Sequence, residues 1–477
     1  MFHFIRSCAL WGVLALALAG CRSASVARHA PANSLDMAEL RSEINDSVEV
    51  TEPVTEIEHD PIVQVAATES SAPAPLRLSI FQAIETSLAA NPDLLTQREA
   101  ESVSLAALGV AQTYPFNPSL QVQVTPFQDL TNPGSSTTNH YVLLMQQVQL
   151  AHQQDHREHA AASQLNSVRW NLLQAQLQTV AQTERLYFTA LYQKGLLDLA
   201  RTIAENNTQL LHMLERRLEA GDASGADVSL VRLDDRTTRQ QTKLAEANYQ
   251  TALLDLRRQL ALSPTVALEL DADLKAWSWK PASEAIGATG ESASSRAINR
   301  PDVMAAHADI DAARAGLCLA DANRTPDLQI GPYYQRTADG SAYYGLRGQM
   351  DIPVLNNGQP AVRQREAELH QRVQFWHQLQ TKATLEAEAA AERYERARAM
   401  VADAEYDPAT PIPDELQQLE KLFEANEVDV LRVMQARNSL IQSLRVSLDA
   451  RNELSQAAVA LAVATGWPLE SLMTLTP

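Results

Sequence analysis

The sequence predicts a mainly α-helical chain with a small β part, written as two copies of one unit in which a strand pair leads into a long-helix hairpin. Three observations predict this. "PSLQV" at Pro118–Val122 has a near-copy, "PDLQI", at Pro326–Ile330. "LEAGDASGADVSLVRLD", from Leu218, aligns without gaps to "FEANEVDVLRVMQARNS", from Phe423. Between His152 and Glu219 there is no proline, and Leu173, Leu177, Val180, Tyr187 and Leu191 form one apolar stripe. That pattern belongs to a single amphipathic helix, about 100 Å long at 1.5 Å rise per residue. Self-similarity of this kind marks a tandem duplication, and with only two copies an open solenoid is not expected.

The bulk composition narrows the function classes. A chain of 477 residues with 45% hydrophobic side chains can bury a sizeable core. The formal charge of −19 argues against nucleic-acid binding, since phosphates would be repelled. The three cysteines are Cys8, Cys21 and Cys318, and the first two fall in or beside a leader, so no disulfide framework is expected.

Residues 1–20 read as a signal peptide: Arg6, then the apolar run "ALWGVLALALAG", too short to span a membrane as a helix. Leu18-Ala19-Gly20-Cys21 resembles a bacterial lipobox, which makes Cys21 the expected lipid-attachment residue. Arg22 rather than an aspartate follows, and by resemblance to enteric sorting rules this favours the outer membrane. Residues 21–75, rich in Ser, Ala, Glu, Asp and Pro, read as a lipid-anchored flexible linker.

The first repeat, 76–270, opens with a helix from Leu78, a turn at Asn91-Pro92 and a second helix. Strand-like runs follow at Phe116–Phe127 and Tyr141–Leu150, then the long helix and a return helix, Asp227–Leu262, expected to pack on it as an antiparallel coiled coil. A linker segment, 271–299, leads to the second repeat, 300–477, which begins at Arg300-Pro301-Asp302 and has strand runs at Asp327–Arg336 and Ala342–Val354. Its long helix is expected to break or unwind at Pro408, Pro411 and Pro413, each of which removes a backbone donor.

Strand alternation separates an apolar from a polar face: Leu346, Gly348, Met350 and Ile352 against Arg347, Gln349 and Asp351, and Leu120, Val122 and Val124 against Gln121 and Gln123. Runs of about ten residues suit a tilted membrane strand, while a soluble hairpin with one wet face has the same pattern. Eight aromatics fall in the two strand regions, Tyr114, Phe116, Phe127, Tyr141, Tyr333, Tyr334, Tyr343 and Tyr344, as in interfacial girdles. Four strands cannot close a membrane barrel, whose minimum is about eight, so a spanning chain must oligomerise.

Gly221 suits a helix C-terminus, and Ser224 with Asp227 reads as a capping box for the helix that follows. His152, His156 and His159 share one helical face; a metal site of that spacing is possible in principle, but Gln and Arg dominate the surroundings and a polar junction is the better reading. No phosphate loop, Ser-His-Asp set or paired carboxylates stand out, so neither catalysis nor a cofactor is expected.

The duplicated order of "LAANPDL" and "AINRPDV", "PSLQV" and "PDLQI", "IPVLNNGQPAVRQREAEL", and the tips "EAGDASGADV" and "EANEVDVLRV" resembles the outer-membrane efflux protein family, the TolC-like channels, over roughly Leu78 to Leu469. The resemblance implies a homotrimer in which long-helix hairpins form a periplasmic α-barrel and four strands per chain contribute to a 12-stranded transmembrane β-barrel. It also implies a periplasmic adaptor and an inner-membrane transporter as partners, outer-membrane lipid around the barrel, and export of small toxic solutes, drugs or metal cations. Gly221, Asp222, Ser224 and Asp227, with Asn426, Glu427 and Arg432 of the second tip, would form the periplasmic entrance that meets the adaptor. Gln121, Gln123, Arg347, Gln349 and Asp351 would face the lumen. Some relatives carry constriction-lining aspartates where Arg432 and Gln435 stand here, and many place a glycine pair at the exit of the second strand, where this chain has none. Two other classes stay open: a periplasmic adaptor, which would need flanking β domains that are not visible, and a structural coiled-coil lipoprotein, which would need no alternating strands.

Overall fold

The computed structural model describes residues 76–125, 138–283, 292–403, 421, 423 and 428–475. Cys21 with its leader and tether, Phe127, the Pro408–Pro413 run, Asn426 and Glu427 lie outside the described residues.

Caps and prolines set where the elements begin. β1 (Leu76–Leu78) runs into α1 (Ile80–Ala90) through a full capping box, in which the Ser79 hydroxyl accepts from the Gln82 N–H and the Gln82 side chain accepts from the Ser79 N–H. The expected Asn91-Pro92 turn starts α2 (Pro92–Gln112). Asn91 Oδ1 accepts from the Asp93 and Leu94 N–H groups at 3.0 and 3.1 Å, and Pro92 fills a first-turn position whose donor has no helical partner. β2 (Ser119–Thr125), β3 (Asn139–Val148), α3 (Gln153–Ala220), α4 (Gly225–Gln259), β4 (Leu268–Leu270), β5 (Trp277–Trp279) and the short α5 (Ala293–Ala297) complete the first half and its linker. The second half repeats the order with α6 (Pro301–Ala322), β6 (Leu328–Arg336), β7 (Ala342–Met350), α7 (Gln359–Ala402) and α8 (Val430–Thr465), followed by β8 (Met473–Leu475).

The two halves also match in backbone conformation. His152, at φ 57°, precedes α3 where Gly358, at φ 75°, precedes α7; Ala261, at φ 53°, follows α4 where Gly466, at φ 67°, follows α8. A left-handed residue is required at both places in both halves, and the first half supplies it without glycine. This is how the exit from the second strand turns without the glycine pair.

α3 is 68 residues long, uninterrupted as its composition predicts. It packs on α2 and α6 along one part of its length and on α4 along another, with α8 against it as well. The change of partner explains a departure from the expected stripe. Tyr187 and Leu191 are buried in the main core, whereas Leu173 is largely exposed and, with Leu177 and Val180, lines an outer groove beside Trp170.

The main core sits where the two halves meet. Tyr187, Phe188 and Leu191 of α3, Leu256 of α4, Tyr394 of α7 and Leu454 and Leu461 of α8 close around β1, β4 and β5. Phe188 meets the Trp277 ring edge-on at 6.0 Å. Each such side chain contributes about 1.5–3 kcal/mol by leaving water. β1 pairs parallel with β4, and β5 antiparallel with β8. The 271–299 segment therefore does more than link, since it supplies Leu274 and Trp277 to this core.

The remaining strands form one antiparallel sheet in the order β2-β3-β6-β7. β2 and β7 start later or end sooner than the sequence patterns predict, while β3 keeps its expected ten residues two positions earlier. Pro115 and Pro118 offer no backbone donor ahead of β2, and Pro353 offers none after β7, so Asp351, Ile352 and Val354 fall beyond the strand. Among the described residues, no helix is long and apolar enough to cross a membrane.

Candidate functional site

Two surfaces carry the sequence-predicted site residues, the four-stranded sheet and the helical tip. Register assigns the sheet's faces. Gln121 pairs with Leu143, Gln123 with Tyr141, Tyr141 with Gln335, Gly331 with Arg347 and Gln329 with Gln349. Residues directly opposite one another share a face, so Gln121, Gln123, Arg347 and Gln349 come together on one side, as predicted. The other side carries Leu120, Val122, Val124, Leu144, Ile330, Tyr344, Leu346 and Met350, all of them large exposed hydrophobics. Leu143 and Met145, on the polar side, are buried to 3% and 8%, while Leu144 between them is 44% exposed. On the two inner strands the polar side is thus the more covered one, whereas on β2 and β7 Gln121, Gln123, Arg347 and Gln349 are exposed like the apolar residues beside them.

Aromatic placement differs from the expected girdle. Tyr334 and Tyr344 stack across β6 and β7 on the apolar face, with centroids 5.1 Å apart. Tyr141, Tyr333 and Tyr343 instead lie on the polar face, where Tyr141 and Tyr333 are 6.1 Å apart. The Tyr333 ring covers Gly345, where a Cβ would meet it at 2.6 Å, and a Cβ on Gly331 would run into the Leu144 carbonyl. Glycine in a strand interior is the sequence signal for such close packing, and alternation of polarity alone does not pick it out. Arg347 donates to the Tyr141 hydroxyl at 3.2 Å.

At the helix-side end of the sheet, Asp327 ties the junction together, accepting from the Gln147 side chain at 2.8 Å and from Gln153 at 3.3 Å. A cleft of about 570 Å³ opens beside it, lined by Gln147, Arg324, Gln329, Gln349 and Asp351 among others. His152 Nδ1 stands 3.2 Å from Asp155 Oδ2. Among the described residues, no group of three or more His, Cys, Asp or Glu side chains is placed to hold a metal ion.

At the tip, α3 ends in a paired C-terminal motif: the Asp222 N–H bonds the Arg217 carbonyl at 2.8 Å and the Gly221 N–H bonds the Leu218 carbonyl at 3.1 Å, with Gly221 at φ 85°. Ser224 caps α4, but by accepting from the Ala226 N–H at 3.1 Å. The expected Ser224–Asp227 box is thus replaced by this single bond, and Asp227 sits in the first turn, where the helix dipole favours an anion. Leu214, Val228 and Val231 of the first hairpin pack against Phe423, Val430 and Val433 of the second. Arg217, which no local pattern singles out, joins the two hairpins: its guanidinium lies 4.9 Å from the Phe423 ring centroid and donates to the Phe423 carbonyl at 3.0 Å. Arg432, in the first turn of α8, and Gln435 are exposed.

One buried acid lies far from both surfaces. Glu184 of α3 is 4% exposed; burial, reinforced by the field of Glu470 and opposed by Arg185, pushes its carboxyl up to about 8.

No family model and no curated protein matches the sequence. Solved structures do match in shape. The outer-membrane channel OprN has 17% identity and a TM-score of 0.63 over 82% of this chain and 90% of its own. CusC, whose report describes transmembrane channel formation, has 16% identity and a TM-score of 0.63, over 88% and 98%. The Campylobacter jejuni CmeC outer membrane channel has 12% identity and a TM-score of 0.65, over 88% and 94%. The repeated element order, the two-faced sheet and these matches agree: this chain has the fold of the TolC-like outer-membrane efflux channels.

Proposed function

We propose that the chain is one subunit of a homotrimeric channel through the outer membrane, anchored by lipid at Cys21 and serving as the passive exit conduit of a tripartite efflux pump. Three sheets of four strands would close a 12-stranded barrel, continuous with a tunnel built from the helical hairpins across the periplasm. The tip, from Gly221 to Asp227 and around Arg432, would meet a periplasmic adaptor, which couples the conduit to an inner-membrane transporter of small toxic solutes. Residues 76–270 and 300–477 would supply the two quasi-equivalent portions of each subunit.

The observation that carries this reading is the sheet. It has one polar face and one bare apolar face, and among the described residues it ends on β2 and β7, each paired on one side only. In hydrocarbon each unpaired backbone group costs several kcal/mol, so such a sheet is stable in lipid only when neighbours close it. In water the bare apolar face would be an aggregation hazard. Purified protein in planar bilayers tests the reading: discrete single-channel steps are expected, and a silent membrane at saturating protein would refute it.

A further inference from the structure

We propose that Arg347 makes the barrel segment of the pore anion-favouring, so that this station passes anionic solutes in preference to metal cations. The proposal rests on the channel reading above and narrows its substrate class.

Arg347 is the one charged side chain among the described strand residues on the polar face; the rest are Gln, Asn, Ser, Thr, Tyr, Leu, Met and Gly. The geometry around it keeps its charge available. Its neighbour across β6 is Gly331, held without a Cβ by the Leu144 carbonyl, so nothing stands between the guanidinium and β3. Across that bare strand it reaches the Tyr141 hydroxyl, a neutral acceptor, at 3.2 Å. Among the described residues, no carboxylate lies within ion-pairing distance of it. The nearest acid along its own strand direction is Asp351, four residues on. At about 3.3 Å per residue that is roughly 13 Å away, beyond the ~8 Å Debye length of physiological salt. A positive charge facing a water-filled lumen, uncompensated and repeated by each subunit, is the arrangement that selects anions.

The test is the reversal potential of wild type and variants in planar bilayers under a KCl gradient, with unitary conductance recorded alongside. Arg347→Gln is expected to lower the chloride-to-potassium permeability ratio at least about threefold, and Arg347→Glu to lower it further. Arg347→Lys, which keeps the charge, and Tyr141→Phe, which removes only the hydrogen bond, are expected to leave it near wild type; wild type itself is expected to favour chloride, and a wild-type channel that favours potassium overturns the proposal even if the Gln variant assembles poorly. A ratio that is unmoved in conducting Arg347→Gln and Arg347→Glu channels, or that falls equally with Tyr141→Phe, overturns the proposal and leaves the channel reading standing. A wild-type protein that never conducts overturns both.

Discussion

Tyr187 of α3 and Tyr394 of α7 play the same part, one in each half. Each is fully buried, and each donates its hydroxyl to a main-chain carbonyl at the end of an edge strand: Tyr187 to Leu78 at 3.1 Å and Tyr394 to Lys280 at 2.5 Å. Burial raises both hydroxyls' pKa, so both stay protonated donors at any physiological pH. Two tyrosines thus fasten the long helices of each half to the small sheets that flank the main core. Replacing either by Phe is expected to cost about 1 kcal/mol, because a buried acceptor loses its partner while the ring packing stays. Denaturation midpoints in detergent check this, and similar losses in the two variants are expected from their equivalent roles.

The corresponding strand exits give a contrast between the halves. Gly358 holds a left-handed backbone, and a Cβ there would meet Arg324 Cγ at 2.7 Å. Gly358→Ala is therefore expected to destabilise by about 1–2 kcal/mol. His152 already tolerates the same conformation, so His152→Gly should stay within about 1 kcal/mol of wild type. Thermal unfolding of the two variants side by side decides it.

Glu184 sets a pH dependence. Its folded carboxyl holds a proton up to about 8, whereas the unfolded one ionises near 4.5. Between those values the folded state binds the extra proton, so this residue's contribution is fully present below 4.5 and is lost as pH rises towards 8. The loss is on the order of a few kcal/mol. The melting temperature of wild type is expected to fall from about pH 5 to about pH 8.5 by more than that of Glu184→Gln, and parallel curves would contradict the assignment.

Arg217 is the expected clasp between the tips. Arg217→Ala removes both its stacking on Phe423 and its bond to the Phe423 carbonyl. Limited proteolysis should then cut the tip region faster, with the main core and its melting transition little changed, since the tip cluster is separate from it.

Much of this molecule is legible in its sequence for a physical reason: periodicity and punctuation are local. The absence of proline between His152 and Glu219 predicts α3, and alternation at Leu346–Ile352 predicts the two faces of β7. What stays hidden depends on partners far apart along the chain. Leu173 and Tyr187 share a helical stripe yet only Tyr187 is buried, because α3 changes neighbours along its length. The meeting of Tyr141 with Arg347 follows from strand order, and the burial of Glu184 within the field of Glu470 from the tertiary fold, neither of which a local pattern encodes.

The central claim is that four strands in one chain are a third of a closed barrel. The mass of the protein extracted in detergent, measured by light scattering with the detergent contribution subtracted, tests it most directly. Three copies of the chain per particle are predicted, with precipitation when detergent is removed; a single copy that stays dispersed in buffer alone would contradict the claim.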